Sequence, residues 1–489
     1  MRPRLRNDAA GLRSASRPAS LPNGPAPTSV PPDMRSLLIS GGRVVDPANG
    51  IDGLADVLVE DGRISRVAPS LRAPEGCERV DASGQVVCPG LIDLHVHFRE
   101  PGQTAKETIA SGARAAARGG FTTVVCMPNT QPSIDSASTV ALIQEKARTA
   151  AVRVEVSGAL SKGIQGEELA SIGSLAKAGV VALTDDGHCI QNNDLMRRAL
   201  EYARQFGLPV MDHCQDYGMV MNGVMNEGLQ SLRLGLRGWP SAGEELIVAR
   251  NILLAEQTGT PVHCQHMSAA GSVRLIREAK RRGVPISGEA CPHHFTLTDT
   301  TIAGSAEFWA TDGTELARRV FQGHPLPTWP AYHTHFKMNP PLRSAADREA
   351  ILEGLVDGTL EIIASDHAPH TESEKEVEFD DAPFGIVGLE LELPLSLMQL
   401  HHTGRLPLSR LIEKLTINPA RFLKLSEGRG TLSVGAWADI TMFDPEAPWI
   451  CDRRDTASLS QNNPFHGWPM KGRVTGTFVG GRRVHECGR

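Results

Sequence analysis

With 489 residues, the chain is too long for one ordinary domain and fits a barrel with a smaller appended domain. Hydrophobic residues make up 40% of it and charged residues 22%, an ordinary globular balance with enough apolar material for a large core. The formal net charge of −6 argues against a nucleic-acid binder, and no apolar run is long enough to span a membrane.

The cysteines and the first 33 residues bear on where the protein works. The nine cysteines are scattered without a C-x-x-C pair, and some, such as Cys126 and Cys264, lie in apolar strand-like runs. We therefore expect reduced, buried thiols in a soluble, cytoplasmic protein. Residues 1–33 are rich in Arg, Pro, Ser and Ala and lack the apolar core of a secretory signal. We expect a disordered leader there, or a true start at Met34.

Both ends of the chain after this leader predict β-strands. Residues 34–88 alternate apolar and polar side chains between Gly and Asp-Gly breaks, and residues 426–489 repeat the texture. We predict one small β-sandwich formed by these N- and C-terminal segments, with a separate domain over residues 89–425 between them.

That middle domain alternates short apolar strands with helix-like stretches. About eight such units fit between Pro89 and Leu425, and the alternation predicts a parallel sheet with outer helices. Eight units suit a closed TIM-type (β/α)₈ barrel better than an open sheet. One helix-like stretch begins with Ser241-x-x-Glu244, which predicts a capping box.

Polar residues end most of the strands predicted in this domain. They are His95, His97, Asn129, Asp186, His213, His266 and Asp366. The active site of a (β/α)₈ barrel is built at the C-terminal ends of its strands, so we expect these side chains to converge.

The histidines among them predict a metal site. His95 and His97 lie in GLIDLHVHFREPG, and residues i and i+2 of a strand share a face, so both imidazoles can bind one ion. His213 and His266 each end an apolar strand, and packing alone hardly explains four imidazoles at strand ends. The alternative is a set of hydrogen-bonded interior histidines, and we interpret the nearby His263 in that way.

Asp366, in IIASDHAPH, is the candidate acid–base residue. A carboxylate at a strand end can ligate a metal and accept the proton of the water bound to it, whose pKa falls to about 7. The alternative is an Asp that caps the next helix, for which Asp-His-Ala-Pro-His is an unusual string.

Taken together, the chain resembles dihydroorotases of the type I class, which are cyclic amidohydrolases. The resemblance runs from about Leu37 to Val484 and rests on DLHVHFREPG, MPNT, TDDG, MDHCQD, GVMNEG, KMNPPLR, SDHAPH, PFGIVGLE, LTINPARFL and ADITMFD. It implies the reversible cyclisation of N-carbamoyl-L-aspartate to (S)-dihydroorotate and water in pyrimidine biosynthesis. A metal-activated hydroxide would act there, with Asp366 as the general acid–base.

The resemblance also implies one or two zinc ions per chain. The implied ligands are His95, His97, Asp186, His213, His266 and Asp366. Many amidohydrolases join two ions with a carboxylated lysine, but the strand VVALTDDGHC has no lysine at its end. The resemblance therefore places Asp186 at the bridge, and the sequence leaves the neighbouring Asp185 open as the alternative.

Substrate-binding residues follow from the same resemblance. They are His97, Arg99, Asn129, Asn339, His370, Phe384 and Gly385. Arg99 can hold a carboxylate by two parallel hydrogen bonds, and Phe384 and Gly385 match a segment whose backbone meets the pyrimidine ring. The alternative for each residue taken singly is a role in a turn or a cap.

Two segments and two other functions leave alternatives open. The stretch between Leu297 and Lys337 is longer than the family pattern, and we expect a tolerated surface insertion rather than a lid or subunit contact. We expect the acidic TESEKEVEFDD after His370 to be a solvated, mobile loop.

An allantoinase or hydantoinase would usually carry the bridging lysine, and a catalytically silent dihydroorotase-like subunit would have lost metal histidines. The expected partners are a small-molecule substrate and a second copy or an aspartate transcarbamoylase, with neither nucleic acid nor membrane.

Overall fold

The structure is a computed structural model that describes residues 36–321 and 323–487. The expected leader, residues 1–33, and the alternative start at Met34 lie outside the described residues. The strands are β1 (Leu37–Asp46), β2 (Ile51–Glu60), β3 (Arg63–Ala68), β4 (Glu78–Asp81), β5 (Val86–Pro89), β6 (Leu91–Val96), β7 (Phe121–Cys126), β8 (Arg153–Gly158), β9 (Ala182–Leu183), β10 (Val210–Asp212), β11 (Met225–Asn226), β12 (Gly238–Trp239), β13 (Val262–Cys264), β14 (Ile286–Ala290), β15 (Ile362–Ile363), β16 (Ile440–Ile450), β17 (Pro469–Val479) and β18 (Arg482–Glu486). The α-helices are α1 (Ile109–Arg118), α2 (Ala137–Ala147), α3 (Ile172–Ala178), α4 (Asn193–Gln205), α5 (Tyr217–Val220), α6 (Leu229–Leu234), α7 (Ala242–Thr258), α8 (Ala270–Arg281), α9 (Ser305–Ala310), α10 (Thr314–Val320), α11 (Ala345–Asp357), α12 (Glu372–Lys375), α13 (Glu392–Ser396), α14 (Leu408–Leu415) and α15 (Ile417–Phe422).

Eight parallel strands form the barrel: β6, β7, β8, β9, β10, β13, β14 and β15, in the order in which these strands follow one another in the chain. Val96 at the end of β6 also bridges to His367 just after β15, which brings the two edges of the sheet together. Strands β6 and β7 are buried along their whole length, as expected when helices cover one face and the barrel interior the other. The predicted TIM-type barrel is confirmed.

The β-strands predicted at both ends of the chain are present and join in one eight-stranded sheet. Its order is β18-β17-β16-β5-β1-β2-β3, with β4 beside β1. The two chain ends meet where β16 runs antiparallel to β5, with Met442 opposite Val87. Ile39, Val57 and Phe478 lie with these residues in one buried cluster, so the sheet has its own core beside the barrel.

The start of α7 differs from its prediction. Ser241 makes no side-chain capping bond, so the predicted capping box is wrong. Glu244 is buried and instead accepts hydrogen bonds from the backbone N–H of Ser268 and of Ala269, at 3.2 and 3.0 Å. A buried carboxylate needs hydrogen-bond donors, and the backbone of the loop after β13 supplies them.

The long segment before Lys337 packs against the protein. Trp309 is buried, and its ring lies 5.4 Å from that of Trp468, which immediately precedes β17.

The acidic stretch TESEKEVEFDD is mostly exposed, but Lys375 within it is buried and donates to the carbonyl of Pro383 at 2.7 Å. The expectation of a solvated loop is therefore wrong at Lys375 and at Phe379, which is also buried. Among the helices that the structure describes, none is long and apolar enough to cross a membrane.

Candidate metal centre and active site

The polar residues predicted at the strand ends converge on one buried cluster. His95 lies in β6 and His97 follows it, His213 follows β10, and the remaining members follow β9, β13 and β15 within three residues. The members are His95, His97, Asp186, His213, His266 and Asp366, and each is no more than 6% exposed. We call this set the histidine–carboxylate cluster.

Its first half joins two imidazoles to two carboxylates. Asp186 Oδ2 lies 3.3 Å from Nε2 of His95 and 3.3 Å from Nε2 of His97. Asp366 Oδ1 lies 3.5 and 3.2 Å from the same two nitrogens. Both side chains of the H-x-H motif therefore present the same ring nitrogen to the same point, as two residues on one face of a strand should.

The second half shares Asp186 with the first. Asp186 Oδ1 lies 3.5 Å from Nδ1 of His213 and 3.6 Å from Nε2 of His266. These two ring nitrogens are themselves 2.8 Å apart, so they must share a proton or a cation. Asp186 thus stands between the two histidine pairs.

Outer hydrogen bonds hold the rings in these orientations. His95 Nδ1 lies 2.7 Å from Glu289, and His97 Nδ1 lies 2.8 Å from the amide oxygen of Asn129. His213 Nε2 lies 2.8 Å from the amide oxygen of Gln215. A proton on each of these outer nitrogens leaves the inner nitrogen with a free lone pair, the form that binds metals.

Two of these outer residues were missed in the sequence. Glu289 is a fully buried carboxylate in β14, and Gln215 lies two residues after His213. Glu289 could have been found, because an acidic side chain inside the apolar run PISGEAC needs a buried partner. For Gln215 the sequence offers no comparable signal.

The charges of the cluster favour a cation. Burial alone would lower the pKa of His95, but the surrounding carboxylates, Asp186 and Glu289 foremost, raise it well above its usual value. Burial alone would raise the pKa of Asp186 and of Asp366, but His95 and the other imidazoles hold both well below the usual range. Buried carboxylates of this kind need compensating positive charge, from a protonated imidazole or a bound ion.

The donor set fits a metal ion. His95 Nε2 and Asp186 Oδ1 are buried without a hydrogen-bond partner, and such atoms cost roughly 1–3 kcal/mol each unless a ligand satisfies them. Ligand atoms of His95, His97 and Asp186 lie within 4.8 Å of one another, and so do those of Asp186 and the other histidine pair. Imidazole nitrogen and carboxylate oxygen are common metal ligands.

The backbone is strained at three of these positions. His266 has φ +38°, Asp366 has φ +48° and Arg99 has φ +57°, a region that residues other than glycine rarely adopt. Each costs on the order of 1–3 kcal/mol and persists only where the surroundings impose it. Three of the nine non-glycine residues with positive φ in the described part of the chain therefore lie at the candidate active site.

Asp185 and Asp186 have different surroundings. Asp185 accepts hydrogen bonds from the backbone N–H of Leu160 and of Ser161, at 2.8 and 3.0 Å, and from the Ser161 hydroxyl. It faces away from the cluster and holds the end of β8. Asp186 is the carboxylate among the imidazoles, as the resemblance implies.

The expected substrate residues lie beside the cluster. Arg99 is 8% exposed; its Nε donates to the carbonyl of Pro369 at 3.2 Å, and its Nη2 lies 3.4 Å from His370 Nε2. His370 Nε2 donates to the carbonyl of Phe384 at 2.8 Å. Gly385 has φ +127° and would place a Cβ 2.8 Å from the Cβ of Ala368, so only glycine fits this close approach.

Asn339 completes the group from another direction. Its Nδ2 donates to Gln215 at 3.1 Å, which links it to His213, and its Oδ1 is buried without a partner. Asn129 is linked to the cluster in the same way, through His97. The structure therefore brings all the sequence-predicted site residues to one region.

Relatives in sequence identify the family. The model of the Dihydro-orotase-like family matches residues 84–272, and that of an Amidohydrolase family matches residues 399–485. A dihydroorotase of Geobacter sp. (strain M21) is 49% identical over 454 residues, which are 93% of this chain and 100% of the relative. One of Pelotomaculum thermopropionicum is 49% identical over 450 residues, 92% of this chain and 98% of the relative.

A solved structure gives the same outline. The L-hydantoinase (dihydropyrimidinase) of Arthrobacter aurescens superposes with a TM-score of 0.77 at 25% identity, over 93% of this chain and 97% of that one. This structural similarity agrees with the barrel fold. The family follows from the dihydroorotases that are 49% identical in sequence. The chain therefore belongs to the dihydroorotase family, within the amidohydrolases.

Proposed function

We propose that the chain catalyses the reversible cyclisation of N-carbamoyl-L-aspartate to (S)-dihydroorotate and water, in pyrimidine biosynthesis. The observation that carries this is the Arg99 guanidinium, buried beside the histidine–carboxylate cluster with no carboxylate oxygen within 4.0 Å among the described residues. Burial lowers its pKa to about 10, so it stays charged at neutral pH. A buried, unpaired guanidinium fits a carboxylate substrate, which it can bind by two parallel hydrogen bonds.

The residues around Arg99 fit the rest of such a substrate. Asn339 Oδ1 is buried without a hydrogen-bond partner, which leaves it free for a ring or carbamoyl group. His370 Nδ1 is also buried without a hydrogen bond, and a carboxylate oxygen of Glu374 lies 3.7 Å from it. We assign Phe384 to one wall of the substrate site; its ring centroid lies 5.8 Å from that of Trp239. We assign substrate binding to His97, Arg99, Asn129, Asn339, His370, Phe384 and Gly385.

We infer zinc as the metal, in one or two ions per chain. The ligands would be His95, His97, Asp186, His213, His266 and Asp366. Four imidazoles favour zinc over magnesium or calcium, which prefer oxygen ligands. Asp186 would serve either a single ion or a pair, because its two oxygens face different histidine pairs. Bound zinc supplies a Lewis acid that polarises the reacting carbonyl and makes water nucleophilic near neutral pH.

Asp366 moves the proton. Its low pKa keeps it ionised despite burial, and its Oδ1 faces the inner nitrogens of His95 and His97. In hydrolysis the carboxylate accepts the proton of the attacking water as the new C–O bond forms. It then donates that proton to the ring nitrogen as the C–N bond breaks. In cyclisation the same proton travels back, and water leaves.

Assembly, domain limits and location remain predictions. We propose domains at residues 34–88 and 426–489 for the terminal sheet and at 89–425 for the barrel. We expect a cytoplasmic enzyme that forms a homodimer or associates with an aspartate transcarbamoylase. Size-exclusion chromatography with light scattering, alone and with the transcarbamoylase, tests the assembly.

A substrate panel tests the function. We expect turnover of dihydroorotate and carbamoyl aspartate, with kcat/KM for dihydrouracil, hydantoin and allantoin lower by about 100-fold or more, because these rings leave Arg99 unpaired. Dihydrouracil is the matched control, since it is dihydroorotate without the carboxylate. Preferred turnover of hydantoin or allantoin would support the other cyclic amidohydrolase activities instead. No turnover of any compound by metal-loaded protein would support the silent subunit.

A further inference from the structure

A second cluster of metal-ligating side chains lies outside the histidine–carboxylate cluster. Cys291, His293 and His294 follow β14 in the string ACPHH, and each is no more than 4% exposed. One ligand atom from each lies within 4.8 Å of the other two. The backbone N–H of His294 donates to the carbonyl of Cys291 at 2.9 Å, so a tight turn holds the side chains together. None of the three has a role in the proposed reaction.

The hydrogen bonding of this turn leaves ligand atoms free. His294 Nε2 donates to the carbonyl of Pro340 at 2.9 Å, which fixes the proton on that nitrogen and leaves a lone pair on Nδ1. His294 Nδ1 and His293 Nε2 are both buried without a hydrogen-bond partner. Each such atom costs roughly 1–3 kcal/mol unless a ligand satisfies it. The two rings lie 4.2 Å apart between centroids, so one ligand can reach both.

The alternative is that the turn only packs, with its polar atoms left unsatisfied. Packing accounts for Cys291, since buried free thiols behave as small apolar side chains. It does not account for two adjacent buried imidazoles that lack partners, because native structures satisfy nearly all buried polar atoms. The bond from His294 to a backbone carbonyl is the arrangement that orients a ligating histidine.

We propose that Cys291, His293 and His294 form a separate site for a thiophilic divalent cation of the zinc class. Thiolate and imidazole are the ligands that such ions prefer, and three protein ligands leave one position for water or a further side chain. A thiol binds as the thiolate, so loading the site releases the Cys291 proton to solvent. The ion would tie the turn after β14 to the loop at Pro340, next to the proposed substrate residue Asn339.

Cobalt(II) substitution tests this site without relying on activity. Metal-free chain is reloaded with Co²⁺ under reducing conditions, and its near-ultraviolet absorption is recorded. A thiolate ligand gives an intense sulfur-to-cobalt band, which ligands of the histidine–carboxylate cluster cannot produce because none is a cysteine. We expect the band in the wild-type chain and its loss in Cys291→Ser, with bound metal lower by about one ion per chain. The result therefore does not depend on the proposed function.

Two further variants complete the test. Cys264→Ser is the matched control, because Cys264 is equally buried in the neighbouring strand β13, and it should keep the band. His293→Ala keeps the thiol but removes one ligand, so the Co²⁺ concentration needed for half the band should rise at least about tenfold. Absence of the band in wild-type chain, or its persistence in Cys291→Ser, would overturn the proposal, even if a variant folds poorly.

Discussion

Buried carboxylates occur in both the terminal sheet and the barrel, but their surroundings differ. Asp46, at the end of β1, is fully buried and accepts hydrogen bonds from Ala48 N, Asn49 Nδ2 and Leu432 N at 3.1, 2.6 and 2.8 Å. Asp186, in the barrel, is almost as buried, but its Oδ1 has no hydrogen-bond partner and its neighbours are imidazoles at 3.3 to 3.6 Å.

This difference separates two uses of a buried charge. A carboxylate surrounded by donors is already satisfied and contributes to the folded state, here by fastening the C-terminal segment to β1. A carboxylate among imidazoles with a free oxygen is satisfied only when a cation arrives. Asp185 belongs to the first kind and Asp186 to the second, although they are adjacent in the sequence.

The largest expected effect is on Asp366, a carboxylate of the second kind. Asp366→Asn should lower kcat by about 10³-fold or more, because proton transfer to the leaving nitrogen is lost while an oxygen ligand remains. Bound metal and melting temperature should stay close to wild type. Steady-state kinetics with metal analysis measure both, and near-normal turnover would remove Asp366 from its assigned role.

The comparison between Asp185 and Asp186 can be broken by paired variants. Asp186→Ala should weaken metal binding by about 10- to 100-fold or more and remove activity with it, since the carboxylate between the histidine pairs is gone. Asp185→Ala should keep its metal and instead lower the free energy of unfolding by about 1–3 kcal/mol, because the donors of Leu160 and Ser161 lose their acceptor. Metal analysis and urea unfolding of both variants distinguish these outcomes. Loss of metal from Asp185→Ala but not from Asp186→Ala would show that Asp185 is the ligand.

Arg99 extends the comparison to a buried cation without a carboxylate partner. Arg99→Lys should reduce kcat/KM for dihydroorotate by roughly 10- to 100-fold, equivalent to about 1.5–3 kcal/mol, because lysine keeps the charge but not the planar pair of donors. Turnover of dihydrouracil, which lacks the carboxylate, should change little. An unchanged kcat/KM for dihydroorotate would place Arg99 outside the substrate site.

The smallest expected effect on activity is in the terminal sheet. Asp46→Asn replaces one carboxylate oxygen by an amide N–H₂, which cannot accept the hydrogen bonds that the carboxylate accepts. The change should lower the free energy of unfolding by about 1–3 kcal/mol. Thermal and urea unfolding measure this, and kcat/KM should equal that of wild type. A drop in kcat/KM without a loss of stability would show that the sheet acts on the site.

The barrel and the convergence of its polar strand ends could be predicted from the sequence because both follow from periodicity. Apolar runs such as FTTVVC are typical of strands buried on both faces, and their alternation with helix-like stretches predicts parallel strands covered by helices. His95 and His97 share a face because strand side chains alternate. The substrate residues followed from the family resemblance. Among them, Asn129 is hydrogen-bonded to His97, and Asn339 reaches His213 through Gln215.

Local patterns failed where a distant partner competed with a near one. Ser241-x-x-Glu244 has the spacing of a capping box, but Glu244 is held by the loop at Ser268. Lys375 stands in an acidic, polar stretch, but it is buried, and its ammonium group donates to the carbonyls of Thr334 and Lys337 at 3.2 and 3.3 Å. Hydrogen bonds to residues far along the chain carry no sequence period, so the pattern could not reveal them.

The sequence by itself determined the barrel, the terminal strands and the residue types at the strand ends, because alternation and length decide which faces are buried. Only the tertiary structure decided which carboxylate faces the histidines, which acid orients His95, and that His293 and His294 have free nitrogens near Cys291. Each of these depends on directions and distances between segments up to hundreds of residues apart. Side-chain satisfaction is a property of the folded surroundings, and neighbours in sequence such as Asp185 and Asp186 can therefore have opposite uses.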